Sequence, residues 1–86
     1  MDKELIKLIC LVQRSKYRKK ILECLKDKKI KRPSHIAKEV NMSLPHTSRY
    51  LTQLRKNGLI ELLNEEEKYG RLFRITSVGL EILDYI

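Results

Sequence analysis

The sequence predicts a single, mainly α-helical domain with one small β-hairpin, and three observations carry this prediction. Five segments place apolar residues at helical spacing. Two short β-compatible runs, "LIELL" and "RLFRI", lie between the fourth and fifth of these segments. The 86 residues allow one domain, which buries only about 60% of the surface that its unfolded chain exposes. We therefore expect one domain over residues 1–86 that is marginally stable alone or stabilised by self-association.

The first two predicted helices cover residues 2–14 and 17–28, with a short break near Ser15. The apolar arc of the first helix is broad for a surface helix, which indicates burial on two sides. The second helix repeats the same periodicity.

The next two helices are predicted from their termini. Residues 32–40 form a short helix, with Pro33 suited to its first turn. Asn41 tolerates the left-handed conformation that a sharp turn requires. Ser43 then offers its hydroxyl as the N-cap of a longer helix over residues 44–57. The Asn-Gly pair at residues 57 and 58 ends this helix.

The remaining chain predicts an antiparallel hairpin and a last helix. The hairpin spans residues 59–75, with "NEEEKYG" as its loop. Thr76 or Ser77 caps the last helix, residues 77–86.

The helix over residues 44–57 has an unusually thin buried stripe. On a helical wheel, Thr47, Leu51 and Leu54 point one way, and the opposite and flanking positions are polar or basic. Such a face suits the major groove of DNA, where Arg bonds guanine, Gln bonds adenine and Thr meets a base edge or a thymine methyl group. The alternative is an ordinary surface helix facing water. The preceding short helix and the three-residue turn favour a helix-turn-helix over residues 33–57.

The charge of the chain agrees with a polyanionic partner. Nineteen Lys and Arg against eleven Asp and Glu give a net charge of +8 and a pI near 9.7. A lysine-rich solubilising surface is the alternative. The basic run "KDKKIKR" precedes the third helix, and helix N-termini favour anions. Lys31 and Arg32 are therefore candidate phosphate contacts.

Other classes of function lack their signatures. Cys10 and Cys24 show no metal-ligand spacing, so we expect no metal and predict that both pack in the core, with a redox-sensing pair as the alternative. We find no nucleophile–base pair, phosphate-binding Gly loop or carboxylate dyad, and therefore expect no enzyme, no cofactor and no identifiable small-molecule effector. No apolar run approaches the ~20 residues of a membrane span, which favours the cytoplasm. The abundance of Lys, Ile and Glu is typical of an AT-rich, archaeal genome.

The segment "IAKEVNMSLPHTSRYLTQLRKNGLIE" resembles the helix-turn-helix of winged-helix transcription regulators of the ArsR- and MarR-like class and their small archaeal relatives. "GRLFRITSVGLEIL" resembles the second strand of their wing and the Thr-x-x-Gly entry into a final helix. The resemblance covers residues 17–86 and implies a winged helix-turn-helix regulator of double-stranded DNA. The DNA-binding residues that we predict from the resemblance and the charge pattern are Arg32, Ser43, Pro45, His46, Ser48, Arg49, Thr52, Gln53, Lys56, Lys68 and Arg71.

Two departures from the family pattern matter. Thr47 stands where the family usually has Val or Ile, and it can pack if its hydroxyl bonds a backbone carbonyl. The wing tip carries three acids, residues 65–67, which phosphate would repel. We therefore expect the tip to stay away from DNA while Lys68 and Arg71 make the wing's contact.

The resemblance also implies that residues 1–16 form an extra helix for dimerisation. The predicted dimer surface comes from the two end helices and comprises Leu5, Leu8, Ile9, Val12, Ile82, Leu83 and Ile86. We call the helix over residues 44–57 the recognition helix. A two-fold axis through the dimer surface would set the recognition helices of the two copies about 34–36 Å apart. Alternatively, the first helix covers the last one within a monomer. A rival function is a winged-helix module that docks on a protein of a larger transcription assembly; the acidic tip favours it, and the absence of a long apolar patch on the recognition helix argues against it.

Overall fold

The computed structural model describes residues 2–67 and 70–86, and it has the mainly α architecture with one hairpin that the sequence predicts. The elements are α1 (Lys3–Gln13), α2 (Lys16–Cys24), α3 (Pro33–Val40), α4 (Leu44–Lys56), β1 (Ile60–Leu62), β2 (Phe73–Ile75) and α5 (Ser77–Asp84). Among these described residues, no helix is long and apolar enough to span a membrane.

Side-chain caps fix where most helices begin. The Ser43 hydroxyl accepts a hydrogen bond from the backbone N–H of His46 at 3.3 Å, as predicted for α4. The Thr76 hydroxyl accepts from the backbone N–H of Gly79 at 3.1 Å, so Thr76 is the cap of α5. The helix α3 has no side-chain cap and begins at Pro33, which has no N–H to satisfy.

The turn between α3 and α4 has the conformation that Asn41 predicts. Asn41 lies in the left-handed region with a φ of 56°, and the next residue, Met42, donates its N–H to the Ala37 carbonyl at 2.9 Å. This closes the end of α3 and turns the chain sharply into α4. The predicted helix-turn-helix geometry is therefore present.

The helices pack around one core, to which α2, α3, α4 and the hairpin all contribute. In the hairpin, Ile60 pairs with Ile75 and Leu62 with Phe73, so that the strands bury one face against the helices. The residues of the core cluster are Val12, Ile21, Leu22, Leu25, Ile36, Val40, Leu51, Leu54, Leu59, Ile60, Phe73, Ile75 and Ile82.

The helix α5 lies against the start of the hairpin at a position where only glycine fits. A β-carbon on Gly79 would overlap the Leu59 carbonyl oxygen and crowd the Ile75 side chain. The Thr-x-x-Gly pattern of the sequence thus combines a helix cap with a close helix–strand contact.

The helix α2 is shorter than the sequence predicts, because it ends at Cys24 and not at residue 28. The Asp27 carboxylate accepts the backbone N–H of Lys29 at 2.9 Å, and Lys28 adopts a positive φ of 66°. Such local side-chain bonds compete with helix. The chain then runs extended, and Lys31 exchanges two backbone hydrogen bonds with Phe73, at 3.0 and 2.9 Å.

The two end helices contact each other within one chain. Val12 and Ile82 are fully buried there, and the prediction that they belong to a dimer surface is wrong for these two positions because they have no area left to offer. The other five predicted residues pack on the edge of the core and are half-buried: Leu5, Leu8, Ile9, Leu83 and Ile86. Cys10 is exposed, contrary to its predicted packing in the core.

Candidate nucleic-acid interface

The helix α4 is held in the fold by the thin stripe that the sequence predicts. Thr47, Leu51 and Leu54 are its buried residues. The Thr47 hydroxyl donates to the Ser43 carbonyl at 2.9 Å, which satisfies the one polar group in this stripe. A β-branched residue with a bonded hydroxyl thus fills the position where the resemblance implies Val or Ile, and most of the other residues of α4 are exposed.

The outward face of α4 is polar and basic. Arg49 and Lys56 are exposed, and their side chains form no hydrogen bond or ion pair within the described part of the chain. The exposed residues that the sequence assigns to DNA on this helix are Pro45, His46, Ser48, Arg49, Thr52 and Lys56. The structure therefore brings six of the predicted contacts onto one solvent-facing surface.

Gln53 is placed differently from these residues. It is half-buried, and its side-chain carbonyl accepts a hydrogen bond from Nε of Arg18 at 2.9 Å. Arg18 also donates to the Leu11 carbonyl at 3.0 Å, near the end of α1. Gln53 thus connects α4 to α1 and α2, and because its side-chain carbonyl is engaged there, its amide N–H groups are the part left for the predicted bond to a base.

A groove joins α4 to the beginning of α3 and to the wing. Arg32 lies at the α3 side of this groove and Arg71 at the wing side, and both are exposed. The structure thus brings the predicted contacts of α3, α4 and the wing together on one surface. Lys68, the other predicted wing contact, lies outside the described residues. The groove is lined by Arg32, Pro33, Ser34, Leu44, Ser48, Gly70 and Arg71.

Leu44 is a residue of this surface to which the sequence assigned no role. It is the first residue of α4, and 48% of its side chain is exposed. The helical wheel places it at the margin between the buried and exposed faces, so periodicity alone gave no signal.

Lys31 does not belong to this surface, and its predicted contact with phosphate is wrong. It is only 6% exposed, and its ammonium group donates to the Cys24 carbonyl at 2.7 Å and to the Glu39 carboxylate at 3.0 Å. A second carboxylate, that of Asp27, lies 3.3 Å away. Burial alone would lower the pKa of Lys31, but the hydrogen bonds to the two carboxylates outweigh it and raise the pKa. The charge is satisfied inside the protein.

Cys24 shares this cluster. Burial, together with a hydrogen bond from its thiol to the Glu39 carboxylate, raises the pKa of Cys24 to about 12. The same bond, followed by the bond from Lys31, lowers the pKa of Glu39. Three or more His, Cys, Asp or Glu side chains placed to hold a metal ion are not found among residues 2–67 and 70–86.

The acidic wing tip is partly neutralised. Glu65 forms an ion pair with Arg55 at the end of α4, while Glu66 and Glu67 remain exposed. One of the three acids therefore has its charge compensated within the protein, and Arg55 is in turn occupied by the wing.

Comparison with known proteins identifies the fold. The winged helix-turn-helix family model matches residues 13–86, and no curated protein matches the sequence significantly. A MarR family transcriptional regulator from Silicibacter pomeroyi DSS-3 aligns with a TM-score of 0.71 and 19% identity, over 88% of this chain and 54% of that one. A cysteine-to-serine mutant of MarR from E. coli, complexed with operator DNA, aligns with a TM-score of 0.74 and 24% identity, over 98% of this chain and 61% of that one. This chain thus spans between half and two thirds of the length of those two. It belongs to the winged helix-turn-helix family.

Proposed function

We propose that this chain is a sequence-specific, double-stranded DNA-binding transcription regulator, a binding protein and not an enzyme, which acts as a homodimer in the cytoplasm. The observation that carries the proposal is the continuous surface formed by the outward face of α4 and the groove between Arg32 and Arg71. Cations in a groove beside an exposed helix suit the phosphate backbone that borders a major groove. Next to them, the exposed side chains of α4 meet base edges.

Arg49 is the residue that we assign to base recognition. It is exposed on the second turn of α4, and none of the described residues engages its guanidinium group. A guanidinium can bond two acceptors of guanine at once, which makes Arg the commonest specific contact in the major groove. Lys56 and Arg32 carry single charges suited to phosphate, and they supply affinity without sequence preference.

The relatives support the same partner. One similar structure is described as a transcriptional regulator, and the other is complexed with operator DNA. In this chain, the net charge of +8 gives the long-range attraction that such a partner requires.

The homodimer is proposed from the apolar residues that the single chain leaves uncovered on its end helices. Ile6 of α1 is 45% exposed, and Tyr85, which follows α5, is 48% exposed. Leu5, Leu8, Ile9, Leu83 and Ile86 lie half-buried on the same two segments. A second copy packed here across a two-fold axis would bury this surface and present two recognition helices about one DNA turn apart.

The experiment that tests DNA binding is a fluorescence anisotropy titration against random-sequence duplex DNA at several salt concentrations. A dimer with about eight phosphate contacts should lose affinity with a log–log slope near −7. Steep salt dependence would justify a selection for the preferred site from a random library. No binding at low salt would refute the proposal and would favour the rival function, a module that docks on a protein.

Sequence preference is tested on the selected duplex with Arg49→Ala. We expect this change to weaken specific binding by about 1–3 kcal/mol and to relax the preference at one base pair. The matched control is Lys29→Ala, which removes one positive charge from an exposed residue outside α4 that does not line the groove. Equal effects of the two variants would remove Arg49 from the recognition surface.

A further inference from the structure

A second stripe along α4, distinct from the buried one, is less polar than its sequence suggests. Leu44, Ser48 and Thr52 are spaced four residues apart, so they follow one another along the same side of the helix. All three are exposed. Leu44 is 48% exposed, and this apolar area is available to a partner.

The hydroxyl of Thr52 is already engaged. It donates to the Ser48 carbonyl at 3.0 Å, within the same helix. The proton of the hydroxyl is therefore not available to a base acceptor, and the methyl group is the part of the side chain left for an apolar contact. The stripe thus offers the isobutyl group of Leu44 at one end and the methyl group of Thr52 at the other.

The position of this exposed stripe indicates which part of DNA it contacts in the proposed complex. Leu44 and Ser48 line the groove that has Arg32 and Arg71 at its sides. In the proposed complex these cations face the phosphate backbone, so the stripe lies between the backbone and the base edges that Arg49 reaches. The apolar group that DNA presents in the major groove is the C5-methyl of thymine.

We propose that this stripe reads thymine methyl groups, so that the preferred half-site carries thymine beside the base pair bound by Arg49. The proposal rests on the proposed function. Leu44 and Thr52 would recognise the thymine methyl group, a feature of DNA that the charges of the surface do not specify.

The experiment replaces single thymines of the selected duplex by deoxyuridine, which pairs identically and lacks only the methyl group. We expect at least one position to lose about fourfold in affinity per half-site, the effect of uncovering one buried methyl group. Leu44→Ala and Thr52→Ser should each weaken binding to the thymine duplex. Each should also abolish the difference between thymine and deoxyuridine at its own position. Thr52→Ser keeps the hydroxyl and its bond to the backbone, so it removes the methyl group alone.

Leu63→Ala is the matched control. Leu63 is a leucine of similar exposure, 39%, which follows β1 and does not line the groove. It should leave the sensitivity to deoxyuridine unchanged. Circular dichroism of all three variants establishes that they fold.

Three results would overturn the inference, and they are distinguishable. Equal affinity for thymine and deoxyuridine duplexes at every position would refute methyl recognition while leaving DNA binding intact. Sensitivity that persists in both Leu44→Ala and Thr52→Ser would assign methyl recognition to other residues. Failure to bind any duplex would remove the proposed function and this inference together.

Discussion

Lys31→Met tests whether the buried lysine is structural. Lys31 joins three parts of the fold, because its ammonium group bonds the Cys24 carbonyl at the end of α2 and the Glu39 carboxylate on α3, while its backbone pairs with Phe73 in the wing. Methionine keeps the length and most of the apolar stem of lysine, and it removes the charge and the donors. The variant therefore isolates the polar contacts from the packing.

The expected loss follows from the environment of each bond. The bond to the Cys24 carbonyl is charge-assisted and made by a side chain that is 6% exposed, so its loss costs about 1.5–3 kcal/mol. The two carboxylates are 41% and 42% exposed, so water replaces the ammonium group there, and we assign them no further contribution. A loss of about 2 kcal/mol lowers the Tm of a domain of this size by about 8–16 °C.

The assay is urea and thermal unfolding at pH 7, followed by circular dichroism. Lys29→Met is the matched control: Lys29 is exposed, its contact with Asp27 is made by the backbone, and the change should stay within about 0.5 kcal/mol. The salt dependence of DNA binding should be the same for Lys31→Met as for the unaltered protein. Equal stability of the two variants would refute the structural role of Lys31. A salt slope reduced by about one unit would instead make Lys31 a phosphate contact.

Three further predictions concern other parts of the fold. Gly79→Ala should lower the free energy of unfolding by about 1–3 kcal/mol in urea titrations, because the added carbon overlaps the carbonyl oxygen just before β1; an unchanged midpoint would contradict this close contact. A backbone hydrogen bond lowers the pKa of Asp27, and the thiol and ammonium bonds lower that of Glu39. The two carboxylates thus stabilise the fold fully at a pH above their ordinary pKa values, 3.8 for Asp and 4.5 for Glu, and this stabilisation is lost as the pH falls below those values. Glu39→Gln should reduce the loss, which is followed by Tm measurements between pH 7 and 3. Of the two thiols, Cys10 should react rapidly with a disulfide reagent at pH 8. The raised pKa of Cys24, about 12 against an ordinary 9.0, leaves about a thousandfold less thiolate, so equal rates would contradict its burial.

The sequence predicts α4 and its turn well because their signals are local. The cap at Ser43, the left-handed residue Asn41 and the Asn-Gly terminus each act within a few residues of the feature that they determine. The narrow stripe of α4 is equally readable, since periodicity reports which side of a helix is buried.

The errors concern partners that lie far apart in the chain. Lys31 looked like one more residue of a basic run, and nothing in that run reveals that Phe73 pairs with its backbone. Gln53 occupies a flanking position on the wheel, and its bond with Arg18 spans 35 residues. Val12 belongs to an apolar arc whose width indicated burial on two sides without showing that both partners come from the same chain.

The backbone pairing of Lys31 with Phe73 also separates the wing into two parts with different tolerance of change. It makes β2 a central strand, hydrogen-bonded to β1 on one edge and to the α2–α3 connection on the other. Between β1 and β2, the Asn64 side chain closes the base of the wing loop: it donates to the Gly70 carbonyl at 2.9 Å and accepts a hydrogen bond from the Leu72 N–H at 2.8 Å. The Asn64 contacts hold the two ends of the loop together whatever its length, and the Arg55–Glu65 ion pair lies before the insertion point, so a peptide or reporter inserted between Glu66 and Glu67 should leave the fold intact.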